Sequence, residues 1–143
     1  MNELLPTLTD AIKFAAKKHE GHKRKGAKGE PYITHLVEVA MILSTTLEKT
    51  DTNLLAAALL HDVIEDTDTS TDELVEHFND DVASLVNEVT DNKSLAKAER
   101  KQEQILKAPS LSERACHIKI ADKVSNLYSI LEDPPLGWSL ERK

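Results

Sequence analysis

Four ionisable side chains lie close together in residues 54–66, a stretch otherwise rich in leucine and alanine. On an α-helix, successive residues are about 100° apart. One side of this helix would then carry four aliphatic residues, Leu59, Leu60, Val63 and Ile64. The opposite side then carries His61, Asp62, Glu65 and Asp66. Ionisable groups this close together repel and desolvate one another unless their charge is neutralised. A divalent cation that binds carboxylates and imidazole neutralises that charge. The stretch therefore predicts a metal site.

Two residues elsewhere in the chain are candidates for the remaining ligands. His35 lies among aliphatic residues of a second predicted helix, and Asp122 lies in the last helix with Asn126 one turn later. A lone histidine or aspartate is more often a hydrogen-bonded core residue or a surface carboxylate. Together with the pair His61 and Asp62, however, these residues place two imidazoles and two carboxylates on three helices with apolar neighbours. That combination favours four ligands of one ion.

The elements that must position these residues are helices. Apolar residues recur at helical spacing, and no segment shows the alternation of a strand bounded by hairpin turns. A second helix is predicted from Pro31 to about Leu47, and a central helix ends near Thr67. Side-chain N-caps are expected at Thr50 or Asp51, Ser70, Asn79 or Asp80, and Ser110 or Ser112. We predict an all-α fold, a compact bundle of about seven helices.

The composition limits the classes of function that the chain can have. A chain of 143 residues, 40% hydrophobic and 30% charged, suits one domain with one core. No run approaches the roughly 18 apolar residues of a membrane span. The net charge of −7 and the aromatic content of 3% argue against a nucleic-acid polymer as partner. Because the start lacks a secretory signal and Cys116 is the single cysteine, we expect a cytoplasmic protein.

Positive charge is concentrated in one short segment, residues 22–28, which also contains Gly26. Glycines on both sides of the cluster, Gly21 and Gly29, indicate a loop rather than a helix. A compact basic loop on an acidic protein suits a small phosphorylated ligand better than a polymer.

Several motifs together resemble the HD-domain metal-dependent phosphohydrolases. Within that family the chain is most similar to the hydrolase domain of the RelA/SpoT alarmone enzymes, especially the small stand-alone alarmone hydrolases. The matching stretches are residues 19–25 (HEGHKRK), 29–35 (GEPYITH), 58–67 (ALLHDVIEDT), 88–91 (EVTD), 99–101 (ERK), 119–127 (KIADKVSNL) and 137–138 (GW). A bare His-Asp pair would be weak evidence. Glu65 and Asp66 shortly after the pair, together with the Arg24 segment, make the resemblance specific.

The resemblance implies an activity and a set of site residues. The implied metal is Mn²⁺, held by His35, His61, Asp62 and Asp122. Glu65 and Asp66 would serve the attacking water, and the substrate would be contacted by Arg24, Lys25, Asn126 and Lys97. The implied reaction removes the 3′-diphosphate from guanosine tetra- or pentaphosphate (ppGpp or pppGpp) and releases pyrophosphate with GDP or GTP. Ligand types alone suit Mn²⁺ but leave Zn²⁺, Fe²⁺ and Mg²⁺ open.

We interpret residues 1–143 as a single HD hydrolase domain that departs from the family pattern in three places. Leu36 follows His35 where relatives commonly have proline, which is expected to affect helix geometry more than ligation. Ser125 stands where relatives often have a bulkier residue, so the pocket wall is expected to differ. The chain ends at Lys143, close after Trp138, where relatives usually continue into another helix. If that helix is absent, the nucleotide pocket would be more open. Without a synthetase-like domain, degradation of the alarmone without synthesis is implied.

Three other hypotheses stay open at this point. The same fold and metal could serve a phosphatase of another nucleotide phosphate, such as NADPH, which rates on a nucleotide panel would separate. The chain could instead be an alarmone-binding sensor without turnover, although a sensor need not keep Glu65 and Asp66. A structural helix bundle without metal is the third hypothesis, and elemental analysis would test it. The sequence leaves the oligomeric state and the base preference open.

Overall fold

The computed structural model describes residues 4–137, with side chains from Thr7 onward. The helices are α1 (Leu4–Lys18), α2 (Ile33–Thr46), α3 (Thr52–Leu59), α4 (Val63–Asp66), α5 (Thr71–His77), α6 (Asp80–Val89), α7 (Lys97–Lys107) and α8 (Glu113–Glu132). A 3₁₀ turn, Ala108–Ser110, links α7 to α8. Within residues 4–137 the only strand-like pairing is an isolated bridge between Lys23 and Pro31. The predicted all-α class is confirmed, whereas Trp138 and the stretch that follows it lie outside the described residues.

Helix α3 forms the centre of the bundle. Its residues Ala56, Ala57 and Ala58 are fully buried, and α1, α2 and α6 pack around it. Small alanine side chains allow three neighbouring helices to approach one helix closely at the packing density of a protein interior. The predicted N-cap is present at Asp51, whose Oδ1 accepts the Leu54 N–H at 2.8 Å. This packing holds the segment that leads to the candidate ligands in a fixed place.

The central helix is interrupted at the candidate ligand pair. Helix α3 ends at Leu59 and α4 begins at Val63, with a turn between them in which Leu60 has φ −103° and ψ 4°. The Val63 N–H donates to the Leu60 carbonyl at 3.0 Å, which closes the turn. Leu60 and Val63 stay fully buried, so their core contacts help to compensate for the lost helical hydrogen bonds. The prediction of one continuous helix is therefore wrong.

Helices α2 and α8 pack against each other on one side of the turn. The buried residues of α8 recur every three or four positions, the spacing of one helix face, and are Ala115, Ile118, Ala121 and Ser125. Helix α2 begins at Ile33 rather than at the predicted Pro31. The residues before it pair with the basic loop instead, because the Tyr32 N–H donates to the His22 carbonyl at 2.8 Å. The two helices thus face each other across the site.

The remaining predicted caps are present as well. Ser70, Asn79 and Ser112 accept hydrogen bonds from backbone N–H groups three residues later, at 3.1, 2.8 and 3.2 Å. Each cap satisfies one of the backbone donors that a helix start leaves unpaired. Helix α7 is highly charged and contains no buried residue. Among the helices of residues 4–137, none combines the length and the apolar character needed to cross a membrane.

Candidate active site

The four predicted metal ligands converge although they come from three separate parts of the fold. His35 lies in α2, His61 and Asp62 lie in the turn between α3 and α4, and Asp122 lies in α8. One ligand atom from each side chain lies within 4.8 Å of the others. The Nε2 atoms of His35 and His61 lie 2.9 Å and 3.2 Å from Asp122 Oδ1. Four donor atoms this close together surround a volume suited to one ion.

The hydrogen bond behind His61 leaves its Nε2 atom ready for a metal. His61 Nδ1 lies 2.6 Å from the backbone oxygen of Ala58. A carbonyl oxygen only accepts, so Nδ1 carries the proton and the lone pair of the neutral ring lies on Nε2. The same orientation of metal-binding histidines by a second hydrogen bond is general in proteins. Two imidazoles and two carboxylates with this arrangement fit a divalent ion.

Negative charge dominates the electrostatics of the cluster. Burial lowers the pKa of His61, but the charge of Asp62 and hydrogen bonds to both aspartates outweigh burial and hold that pKa well above its ordinary value. Burial raises the pKa of Asp122, yet hydrogen bonds from His35 and His61 hold it well below its usual range. The cluster therefore attracts either protons or a cation, and a metal ion that binds must displace the protons.

Tyr32 orients one of the candidate ligands and was given no role by the sequence. Its hydroxyl donates to Asp62 Oδ2 at 2.5 Å. Burial, and then the charge of Asp62, raise the pKa of Tyr32 above its ordinary value, so the hydroxyl keeps the proton that it donates. Tyr32 precedes His35 by three residues, close to one helical turn. That spacing was the signal that could have identified it.

The predicted water-activating pair lies beside the ligand cluster and is held by the loop after α6. Glu65 Oε1 accepts the backbone N–H of Asp91 at 2.8 Å, and Asp66 Oδ1 lies 2.7 Å from Lys93 Nζ. Oxygens of Asp62, Glu65 and Asp66 lie within 4.8 Å of one another. Asp91 and Lys93 are far along the chain from the carboxylates that they contact. No local sequence pattern could have revealed them.

A small polar cavity opens on this cluster. Its volume is about 110 Å³, and its walls include His61, Asp62, Glu65, Lys119 and Asp122. The Asp91 carboxylate closes one side, where Oδ2 accepts from Gln104 Nε2 at 2.5 Å and Oδ1 lies 3.5 Å from Lys119 Nζ. The arrangement combines a candidate cation site, two further carboxylates and a basic wall. These are the groups needed to hydrolyse a phosphate ester with a metal-assisted water.

Comparison with known proteins decides the family. A model of the HD domain matches residues 11–137. Guanosine-3′,5′-bis(diphosphate) 3′-pyrophosphohydrolase MESH1 of Danio rerio is 47% identical over 135 residues, which are 94% of this chain and 75% of that protein. The chain is an HD-domain protein of the MESH1 family. MESH1 of Homo sapiens is 48% identical over the same share of both chains.

More distant relatives match the HD domain over a smaller share of their length. The guanosine-3′,5′-bis(diphosphate) 3′-pyrophosphohydrolase of Aquifex aeolicus is 37% identical over 126 residues, which are 84% of this chain and 17% of that protein.

Among solved structures, one described as a metazoan ortholog of SpoT that hydrolyzes ppGpp has a TM-score of 0.90 and 46% identity, covering 95% of this chain and 76% of that one. The fold and the family thus agree between sequence and structure.

The basic loop of the HD domain lies against the C-terminal half of α8. Arg24 Nη2 lies 3.4 Å from the Ser125 carbonyl and 3.5 Å from Asn126 Oδ1. Asn126 Nδ2 in turn lies 3.5 Å from Asp122 Oδ1. The structure therefore brings Arg24 and Asn126, two of the predicted substrate contacts, next to a candidate metal ligand.

The other two predicted substrate contacts are less closely tied to the site. Lys25 is exposed on the same basic loop as Arg24. Lys97 is exposed at the first residue of α7, and no contact among residues 4–137 links it to the ligand cluster. Their roles stay predictions.

Proposed function

We propose that the chain is a metal-dependent guanosine-3′,5′-bis(diphosphate) 3′-pyrophosphohydrolase. It removes the 3′-diphosphate of ppGpp or pppGpp and releases pyrophosphate with GDP or GTP. The observation that carries the proposal is the convergence of two imidazoles and two aspartates on one point, beside two further carboxylates. It occurs in a chain 47% identical to a protein named for this activity.

We propose Mn²⁺ as the ion, with His35, His61, Asp62 and Asp122 as its protein ligands. Hard carboxylate oxygens mixed with imidazole nitrogens suit this ion. When bound, a divalent ion of this kind neutralises phosphate charge and lowers the pKa of water towards neutrality. We further propose that residues 1–143 act as one HD domain. We place this domain in the cytoplasm, because the proposed substrate is a free nucleotide and the chain has one cysteine.

The two carboxylates that follow the ligand pair have different surroundings, and we assign them different roles. Burial raises the pKa of Glu65 against the opposing effect of the Asp91 N–H, which moves this group towards the range where a general base works best. The Asp66 carboxylate is held in place by the Lys93 ammonium, 2.7 Å from Oδ1, and this fixed position suits a group that orients the water. Glu65 therefore takes the proton of the attacking water, and Asp66 orients that water.

The nucleotide is held by the basic loop and α8. Arg24 can present its planar guanidinium to two phosphate oxygens at once, and Lys25 adds a point charge on the same loop. Asn126 lies between Arg24 and Asp122, where it can contact the ribose or phosphate close to the scissile bond. Lys97 supplies a further positive charge for phosphate. Each of these assignments is part of the proposal.

The proposed reaction is tested by product analysis. The purified protein is loaded with Mn²⁺, incubated with ppGpp, and the nucleotide products are separated by anion-exchange chromatography. We expect GDP and pyrophosphate in equal amounts, and no release from metal-stripped protein. NADPH and GTP are assayed in parallel, and orthophosphate as the product, or faster turnover of GTP, would contradict the proposal.

Gly26 offers a test of the docked basic loop. A Cβ atom at this position would lie 2.6 Å from the backbone oxygen of Asp133, and the Lys28 N–H donates to Asp133 Oδ2 at 2.9 Å. Because no rotamer relieves a clash with backbone, Gly26→Ala is expected to displace the loop and Arg24. We expect the KM for ppGpp to rise about tenfold, as for the loss of one hydrogen bond to a charged group.

The neighbouring exposed residue provides the control for this prediction. Ala27→Ser alters the same loop without a clash and is expected to keep the wild-type KM. Both variants should bind Mn²⁺ as the wild type does, because neither position contacts the ligand cluster. A wild-type KM in Gly26→Ala would show that the position of the loop does not affect substrate binding.

A further inference from the structure

A chain of polar groups runs behind His35, on the far side of the imidazole from the ligand cluster. His35 Nδ1 lies 2.9 Å from Ser125 Oγ, and the Ser125 hydroxyl donates to Glu38 Oε1 at 2.6 Å. His35 is 1% exposed and Ser125 is fully buried. Glu38 follows His35 by three residues in α2 and is partly exposed. Because Ser125 belongs to α8, the chain of hydrogen bonds joins the two helices that carry His35 and Asp122.

The Glu38 carboxylate determines the direction of both hydrogen bonds. An ionised carboxylate only accepts, so the single hydroxyl proton of Ser125 lies towards Glu38. Ser125 Oγ can then only accept from His35. When the imidazole carries a single proton, that proton must therefore lie on Nδ1, which leaves the lone pair on Nε2, the atom that faces the cluster. Nε2 donates to Asp122 Oδ1 only when the ring carries a second proton, which a metal ion displaces.

The opposite tautomer of His35 would also be stabilised by hydrogen bonds, and it would block metal binding. If the Ser125 hydroxyl donated to His35 Nδ1, the ring proton would move to Nε2. That N–H would then donate to Asp122 Oδ1, which lies 2.9 Å away. In this arrangement His35 has no lone pair for the ion, and one oxygen of Asp122 is occupied as well. The hydrogen bond between His35 and Asp122 would have to break before a metal ion could bind, which would weaken binding.

We propose that Glu38 and Ser125 are positioning residues that hold His35 in the metal-binding tautomer and thereby set the affinity of the ion. His61 provides the contrast, because the backbone carbonyl of Ala58 fixes its tautomer and no side-chain substitution removes that carbonyl. His35 is thus the imidazole ligand whose tautomer depends on replaceable side chains. The inference rests on the proposed metal site and is independent of which nucleotide is hydrolysed.

The variant that separates these arrangements is Glu38→Gln. A glutamine side chain can donate its N–H to Ser125 Oγ, which frees the hydroxyl to donate to His35 Nδ1 and reverses the chain. We expect the dissociation constant for Mn²⁺, measured by competition with a chromophoric chelator, to rise about 10- to 100-fold. Ser125→Ala removes the acceptor of the His35 proton and is expected to weaken Mn²⁺ binding by a similar factor.

A matched serine and a spectroscopic measurement complete the test. Ser44→Ala changes an exposed serine of α2, the helix that carries Glu38. The Ser44 hydroxyl donates to the Met41 carbonyl at 3.0 Å, and its loss is expected to leave the Mn²⁺ affinity at the wild-type value. In metal-free protein at mildly alkaline pH, nitrogen NMR should show the His35 proton on Nδ1 in the wild type and on Nε2 in Glu38→Gln. Thermal melts monitored by circular dichroism identify variants that fail to fold.

The outcomes distinguish this inference from the proposed hydrolase activity. Unchanged Mn²⁺ affinity in both folded variants, or an Nε2-protonated His35 in the metal-free wild type, would overturn the role of Glu38 and Ser125. An equal loss of affinity in Ser44→Ala would also overturn it, because the effect would then be unspecific. None of these three results would bear on hydrolysis of ppGpp, which is measured separately by its products.

Discussion

Replacing Asp122 with alanine is expected to abolish hydrolysis of ppGpp together with binding of Mn²⁺. Asp122 Oδ1 is the atom that both imidazoles approach, at 2.9 Å from His35 Nε2 and 3.2 Å from His61 Nε2. Without this carboxylate, Asp62 is the one aspartate left among the four candidate ligands. We expect Mn²⁺ affinity to fall on the order of 100-fold or more and the rate at fixed Mn²⁺ to fall about 10³-fold.

Metal content by mass spectrometry and initial rates measure the two effects on the same samples. Glu132→Ala is the control, because Glu132 is an exposed acidic residue of the same helix and its loss should change neither value. Excess Mn²⁺ is expected to restore part of the activity of Asp122→Ala if three ligands still hold the ion weakly. A variant that keeps a full complement of metal and the wild-type rate would contradict the ligand role of Asp122.

The second large effect is expected at Glu65, and there the metal should remain. Glu65→Gln keeps the size of the side chain and an amide oxygen that can accept the Asp91 N–H, but it cannot take a proton. We expect kcat to fall by about 10²- to 10⁴-fold, the usual contribution of a general base, with little change in KM or Mn²⁺ content. Steady-state kinetics under saturating Mn²⁺ provide the measurement.

Asp66→Asn tests the division of roles between the two carboxylates. Asp66 pairs with Lys93, and an asparagine can still orient a water molecule through its amide. The expected loss of kcat is therefore smaller than in Glu65→Gln. Glu76→Gln, at an exposed position of α5, controls for the change of charge. If Asp66→Asn proved the more damaging substitution, the proton acceptor would be Asp66 instead.

Residue types and spacing were sufficient to predict the candidate ligands and the class of fold. His61 and Asp62 stand out because two ionisable side chains interrupt a buried aliphatic stretch, and burial of such groups needs a compensating partner. The break between α3 and α4 was not predictable from the same pattern. A continuous helix and a broken one bury the same residues, Leu60 and Val63, so apolar spacing cannot distinguish them.

The contacts that complete the site join segments far apart in the chain. Lys93 reaches Asp66 from the loop after α6, and Ser125 reaches Glu38 across the packing of two helices. Such contacts depend on how helices pack, which a single sequence does not contain. Gly26 is a related case, because its close approach to Asp133 becomes visible only when the basic loop is seen against the end of α8. Sequence reasoning identified the basic charge of the loop but not what holds it.

The most direct measurement of the central claim is anomalous X-ray diffraction from crystals of the protein grown with Mn²⁺. We expect one strong manganese peak within direct coordination distance of four protein atoms. These atoms are the Nε2 nitrogens of His35 and His61 and one oxygen each of Asp62 and Asp122. A manganese ion bound elsewhere, or held by Glu65 and Asp66 without the two histidines, would contradict the account.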